Sequence, residues 1–147
     1  MALRYLGAIF RAFLLHCCCT ESFGDAEKCV YLHTDKSEFE MANHSIEIDC
    51  SGMTKLSLNI KMKELLGFPD FYGMNWDAMI DCLSYMRQPS AGMSSVALND
   101  DEALVIYCKN LSEASFDIAV FIDVIRAVNE REINAGKSAQ IFLCPIP

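Results

Sequence analysis

Glu64-Leu65-Leu66-Gly67-Phe68-Pro69-Asp70-Phe71-Tyr72-Gly73-Met74-Asn75-Trp76-Asp77-Ala78-Met79-Ile80-Asp81-Cys82-Leu83 is the stretch on which the fold turns. It closes one helix, crosses a short loop and opens another. Gly67 is a helix stop, and Pro69 prevents the helix from resuming. Asn75 is a good N-cap, so a second helix starts there and runs to about Met86, where Arg87-Gln88-Pro89 ends it. On that helix Trp76, Met79 and Leu83 fall at i, i+3 and i+7 and face the core. Asp77, Ile80, Asp81 and Ser84 form a second stripe at helical spacing.

Outward from this centre, Thr54 to Leu66 reads as a helix, although Leu56, Leu58, Ile60, Leu65 and Leu66 fit one stripe imperfectly. Before it, Ser45-Ile46-Glu47-Ile48-Asp49 alternates polar and apolar as a strand does, and Ser51-Gly52 turns the chain. Downstream, Ser90 to Glu102 is a mostly polar loop. Ala103 to Cys108 is a continuous apolar run of strand length, the pattern of a strand buried on both faces. Ser115 to Ile133 carries Ile118, Phe121, Ile122, Ile125 and Val128 at helical spacing, and Asn134-Ala135-Gly136 closes it. Ala139 to Leu143 is a last buried strand. Strands that alternate with helices give an α/β fold, here a small three-stranded parallel sheet with crossover helices.

Residues 44–147 therefore make the folded domain, and residues 1–43 an amino-terminal extension. Met1 to Leu15 is apolar but carries Arg4 and Arg11. Arg11 cuts the apolar run short, no clear cleavage site follows, and the stretch is too brief to span a bilayer. Leu3, Leu6, Phe10 and Phe13 share one stripe of an amphipathic helix. Cys17-Cys18-Cys19 could accept a lipid anchor beside it. Thr20 to Asn43 is polar and loops over the surface, with Cys29-Val30-Tyr31-Leu32 as a short extra strand.

The chain has 147 residues, of which 52% are apolar, enough to build a core without disulfides or metals. Several of its eight cysteines sit inside apolar runs, notably Cys108 and Cys144, and read as small buried hydrophobes, reduced in a cytoplasm. No cysteine spacing argues for a zinc site, and no cofactor is expected. The formal net charge of −8 disfavours nucleic acid and favours a basic partner.

Asp77 and Asp81 are the candidate functional groups. At i and i+4 they repel each other slightly, which the helix N-terminus offsets for Asp77. With Ile80 between them, and the aromatic pair Phe71-Tyr72 followed by Gly73 on the preceding loop, they suit a contact surface for something cationic. Two aspartates on an exposed helix face are also what an ordinary solvated face looks like, and Phe71 could simply cap the core. Catalysis is disfavoured. His16, His33 and His44 all precede the first strand, and the chain has no glycine-rich phosphate loop and no G-x-S-x-G elbow.

The order of aromatic pair, glycine, any residue, asparagine, large apolar residue and aspartate, closing on Asp81-Cys82-Leu83, resembles the barstar family. So does the lead-in Glu64-Leu65-Leu66-Gly67-Phe68-Pro69. The resemblance spans roughly Ser45 to Leu143. It implies an inhibitor that plugs the active site of a basic, extracellular-type ribonuclease or related toxin with one acidic helix and its preceding loop. Asp81 would stand in for an RNA phosphate among the enzyme's cations, and Asp77 would pair with another cation. Phe71 would stack on a catalytic histidine, and Gly73, Asn75 and Trp76 would add contacts. The chain is expected to act as a cytoplasmic monomer, without direct contact with nucleic acid or membrane. Three positions depart from the family's pattern. Phe71 lacks the usual hydroxyl, Ile80 replaces a tryptophan, and Ala127 stands where an acidic contact is aligned, with Glu130 a turn on. The alternative is a regulatory or scaffold module of the same fold that binds a basic partner other than a ribonuclease.

Overall fold

The computed structural model describes residues 44–147. The expectations for residues 1–43, namely the amphipathic helix, the strand at Cys29–Leu32 and the roles of Cys17, Cys18 and Cys19, lie outside the described residues.

The described chain runs β1 (His44–Asp49), α1 (Lys55–Leu66), α2 (Trp76–Ser84), β2 (Leu104–Lys109), α3 (Ile118–Asn134) and β3 (Ile141–Ile146). The three strands form one parallel sheet in the order β1-β2-β3, with Ile46 opposite Ile106 and Ile106 opposite Leu143. This is the expected α/β architecture. The central strand β2 is buried over Leu104–Cys108, as its unbroken apolar run requires.

The ends of the elements are set by local chemistry. β1 begins one residue before the expected start, so His44 lies in the strand, with its Nε2 3.8 Å from a carboxylate oxygen of Glu102. β3 begins at Ile141 and continues through Pro145, which an edge strand tolerates because one side of its backbone needs no ladder donor. α3 starts later than expected, because Asp117 caps it by accepting a hydrogen bond from the Val120 amide at 3.1 Å. α2 ends at Ser84, short of Met86; the Tyr85 amide closes back on Cys82 and Leu83.

In α1 the imperfect periodicity has a clear cause. The buried stripe is Leu58, Met62 and Leu66, four residues apart, with Asn59 beside it, whereas Leu56 and Ile60 face solvent. Thr54 and Ser57 cap the helix reciprocally: the Ser57 amide donates to the Thr54 hydroxyl at 3.2 Å, and the Thr54 amide donates to the Ser57 hydroxyl at 2.7 Å. Gly67 ends it in the left-handed region at φ 61°, and a Cβ there would lie 1.5 Å from the Ser95 hydroxyl oxygen.

All three helices pack on one side of the sheet. Leu58, Met62, Met79, Leu83, Phe121, Ile125 and Val128 form a single core with Leu104, Ile106, Ile141 and Leu143. Polar side chains stitch this core to the strand ends. Asn129 accepts from the amides of Gln140 and Ile141, each at 3.0 Å, and donates to the Ile141 carbonyl at 2.8 Å. The Arg87 side chain, 1% exposed, donates to Glu132 at 3.0 Å and to the carbonyls of Ser138 and Glu102 at 2.8 Å each.

Arg87→Ala should lower the unfolding free energy by about 3–5 kcal/mol, because it strands the buried Glu132 carboxylate. Arg87→Met combined with Glu132→Leu should lose less than the single change. Urea denaturation of the three proteins checks both statements.

Candidate functional site

The loop from Phe68 to Met74 leads directly into helix α2, and both are held by hydrogen bonds and packing. The Tyr72 amide donates to the Pro69 carbonyl at 3.0 Å, which closes a tight turn. Phe68 and Tyr72 are both buried, with ring centroids 4.9 Å apart. The Tyr72 hydroxyl donates to Oδ1 of buried Asn59, whose amide nitrogen in turn donates to the Lys55 carbonyl at 2.8 Å. Burial pushes the Tyr72 phenol well above its ordinary pKa, so it stays a neutral donor. Between these two anchored rings Phe71 is turned outward and is 74% exposed.

Gly73 and Met74 then redirect the chain into the helix. Met74 holds a left-handed φ of 52°, an unusual conformation for a residue with a side chain. It brings Asn75 into position as N-cap, accepting from the Ala78 amide at 2.8 Å while donating back to the Gly73 carbonyl at 3.1 Å. A Cβ on Gly73 would stand 3.0 Å from the Asn75 amide nitrogen, so glycine leaves room for that folded-back cap.

Along α2, Met79, Cys82 and Leu83 are buried. Trp76 is half-buried, with its ring centroid 6.3 Å from that of Phe121 and the Lys55 ammonium 5.5 Å from its own centroid. Asp77 and Asp81 are exposed, and Ile80 is half-buried between them. The Cys82 thiol is pushed up to about 11, first by burial and second by the neighbouring Asp81 carboxylate, so at neutral pH it is an inert thiol.

Asp81 carries a partner that the sequence did not reveal. Arg131 on α3 places Nη1 3.5 Å from Asp81 Oδ1 and donates to the Ser84 hydroxyl at 3.0 Å. The Ser84 hydroxyl in turn donates to the Ile80 carbonyl at 2.6 Å. Ala127 is half-buried and Glu130 exposed, but the α3 residue that reaches the acidic stripe is Arg131.

The structure leaves Phe71, Gly73, Asp77 and Asp81 exposed and Ile80 half-buried, with Asp77, Ile80 and Asp81 on one face of α2 by helical spacing. It buries Tyr72, and it uses the Asn75 side chain as the cap. Tyr72 sits below because the turn leaves only one of two adjacent aromatics facing out, and Asn59 supplies the buried acceptor that only the tyrosine can use. Among the described residues no group of three or more His, Cys, Asp and Glu side chains is placed to hold a metal ion. No described helix is long and apolar enough to cross a membrane.

Two comparisons with known proteins bear on this surface. A sequence model of the family described as Barstar (barnase inhibitor) matches residues 43–144, which takes in the whole loop and helix. A search of curated proteins finds no match to the chain.

Tyr72→Phe should destabilise the domain by about 1–3 kcal/mol, the cost of leaving the Asn59 acceptor unsatisfied inside the core. Thermal unfolding measures it. Phe71→Ala, on the exposed ring next door, should leave stability within about 0.5 kcal/mol of the parent.

Proposed function

The chain belongs to the barstar family, and from that premise we propose that it inhibits a ribonuclease by seating the Phe68–Met74 loop and helix α2 in the enzyme's active site. The observation that carries the reading is the coincidence of the family match with an exposed Phe71, Asp77 and Asp81 on the loop and the helix that follows it. Asp81 takes the place of a substrate phosphate among the enzyme's cations, and Asp77 pairs with a second cation. Phe71 stacks on the ring of a catalytic histidine, without the hydrogen bond a tyrosine would add. Ile80 fills the apolar gap between the two acids, and the exposed edge of Trp76 borders them. Gly73 and Asn75 contribute through the backbone they hold, and Tyr72 acts from below as the strut of the loop. The protein has no catalytic step of its own. It works as a monomer in the cytoplasm, with the buried thiols of Cys50, Cys82, Cys108 and Cys144 reduced.

Arg131 qualifies this picture. A partner cation that approaches Asp81 meets a like charge already in place, so Arg131 must swing aside or face an anion on the partner. Its exposed ion pair contributes little to stability, on the order of 0–1 kcal/mol. Its weight falls on recognition instead.

The direct test mixes the purified protein with basic extracellular-type ribonucleases and follows RNA cleavage. Inhibition at equal stoichiometry is expected, with association that slows steeply as salt is added. Asp81→Ala should weaken inhibition more than any other single change on α2, and far more than removal of a distant acid such as Asp100. Arg131→Ala should speed association severalfold and leave the thermal midpoint almost unchanged. Slower association in that variant would mean that Arg131 meets a carboxylate on the enzyme.

The second reading is a module of the same fold whose acidic helix binds a basic partner other than a ribonuclease. Arg131 within the contact stripe is the observation that favours it, since the stripe is then of mixed charge. Binding to no ribonuclease of the panel would select this alternative.

A further inference from the structure

We propose, resting on the inhibitor reading above, that Asn59 of α1 is a positioning residue for inhibition: it acts through the Tyr72 hydroxyl to hold the loop that carries Phe71 in the shape a partner meets. Lys55, Asn59 and Lys63 stand four residues apart and so share one face of α1. Each meets a different residue of the segment that runs from the loop into α2. The Lys63 ammonium lies 3.7 Å from Asp70 Oδ1, Asn59 accepts from the Tyr72 hydroxyl, and the Lys55 ammonium lies 5.5 Å from the Trp76 ring centroid. One stripe of α1 thus touches the residue before Phe71, the residue after it and the first residue of α2.

The three contacts are unequal. Lys55 and Asp70 are exposed, so the two outer ties are screened by water and weak. Asn59 is 0% exposed, and both ends of its amide are occupied. Its Nδ2 donates to the Lys55 carbonyl at 2.8 Å, which turns Oδ1 toward Tyr72. Asn59 stands beside the buried stripe of Leu58 and Met62, where an apolar side chain would avoid the cost of desolvating an amide. What the amide adds is direction. An apolar side chain would fill the space and leave the Tyr72 ring free to slide, whereas a hydrogen bond fixes where its hydroxyl ends. Phe71 is next to Tyr72 in the chain and 74% exposed, so its own packing does little to place it. Its position follows from the anchored neighbour.

The experiment compares the full parent chain with Asn59→Leu, Tyr72→Phe and the two changes together. Each single change leaves one buried polar group unpaired, and the double variant leaves neither, so its thermal midpoint should return close to that of the parent. Against a ribonuclease that the parent inhibits, the double variant should still bind about tenfold or more weakly, because the loop must now be ordered at the moment of contact. Adding Phe71→Ala should then cost less than it does in the parent, since both changes act on one ring. A role in stability alone would restore inhibition together with the midpoint, and that result overturns the proposal. The second readout needs no ribonuclease. Nitrogen-15 relaxation of the free double variant should show order parameters at Phe71, Gly73 and Met74 falling from about 0.85 toward 0.6, with Met79 and Leu83 unchanged. Unchanged values in the loop overturn the proposal, and so does an equal fall at Met79 and Leu83, which would mark a general loosening. A parent that inhibits no ribonuclease defeats the inhibitor reading alone, and the relaxation data then decide the role of Asn59 by themselves.

Discussion

The guanidinium of Arg87 is where four segments of the chain meet. It leaves the end of α2 and reaches Glu132 on α3, the Glu102 carbonyl ahead of β2, and the Ser138 carbonyl ahead of β3. A parallel sheet needs its strands delivered in register at one end, and here one planar cation ties two of the three delivery points to the helix pair above them. The arrangement suits arginine and no other residue, because a lysine has no rigid fork with which to hold three acceptors at once. Burying the charge has a price in solvation, which the Glu132 carboxylate and the two carbonyls offset. Gln140 extends the same tie by donating to the Leu83 carbonyl at 3.1 Å. The attitude of α2 relative to α3 follows from these contacts, and with it the proximity of Arg131 to Asp81.

The sheet separates two apolar clusters. On one side the helices bury a continuous core, and α2 turns its outer stripe to solvent. On the other side lies a smaller apolar cluster that has no part in shaping α2. Substitutions on that far side act on a cluster separate from the one that supports Phe71, Asp77 and Asp81. Phe71 stands on the exposed loop, where its side chain can vary without disturbing the packing below, whereas half-buried Ile80 also packs against the core.

What the sequence made legible was whatever depends on local spacing. The Gly67 stop, the Asn75 cap and the alternation of strands and helices follow from residues within a turn or two of each other, and the structure has them. The division of α2 into Met79 and Leu83 inside, Asp77 and Asp81 outside, follows from helical period alone. α1 was harder, since Leu56 and Ile60 look like core residues until Met62 and Asn59 are seen to occupy the inner stripe. Two features of the candidate site were not legible, because both are tertiary. Nothing near Tyr72 announces that Asn59 waits for its hydroxyl, and nothing near Asp81 announces a cation fifty residues on. The one trace of Arg131 was its place on α3, two residues from buried Asn129 and on a helix that had to pack against α2.

The turn at Gly73 and Met74 has a consequence in entropy. A loop that samples many shapes must surrender them when it meets a partner, at about 1–2 kcal/mol for each residue fixed. Here Met74 is already held in a left-handed conformation, Asn75 is already folded back on Gly73, and Tyr72 is already tied to Asn59. The freedom of the segment was lost when the domain folded, and the packed core compensated for it then. A partner that fits this surface has little loop freedom left to freeze, so that part of the cost of association is absent.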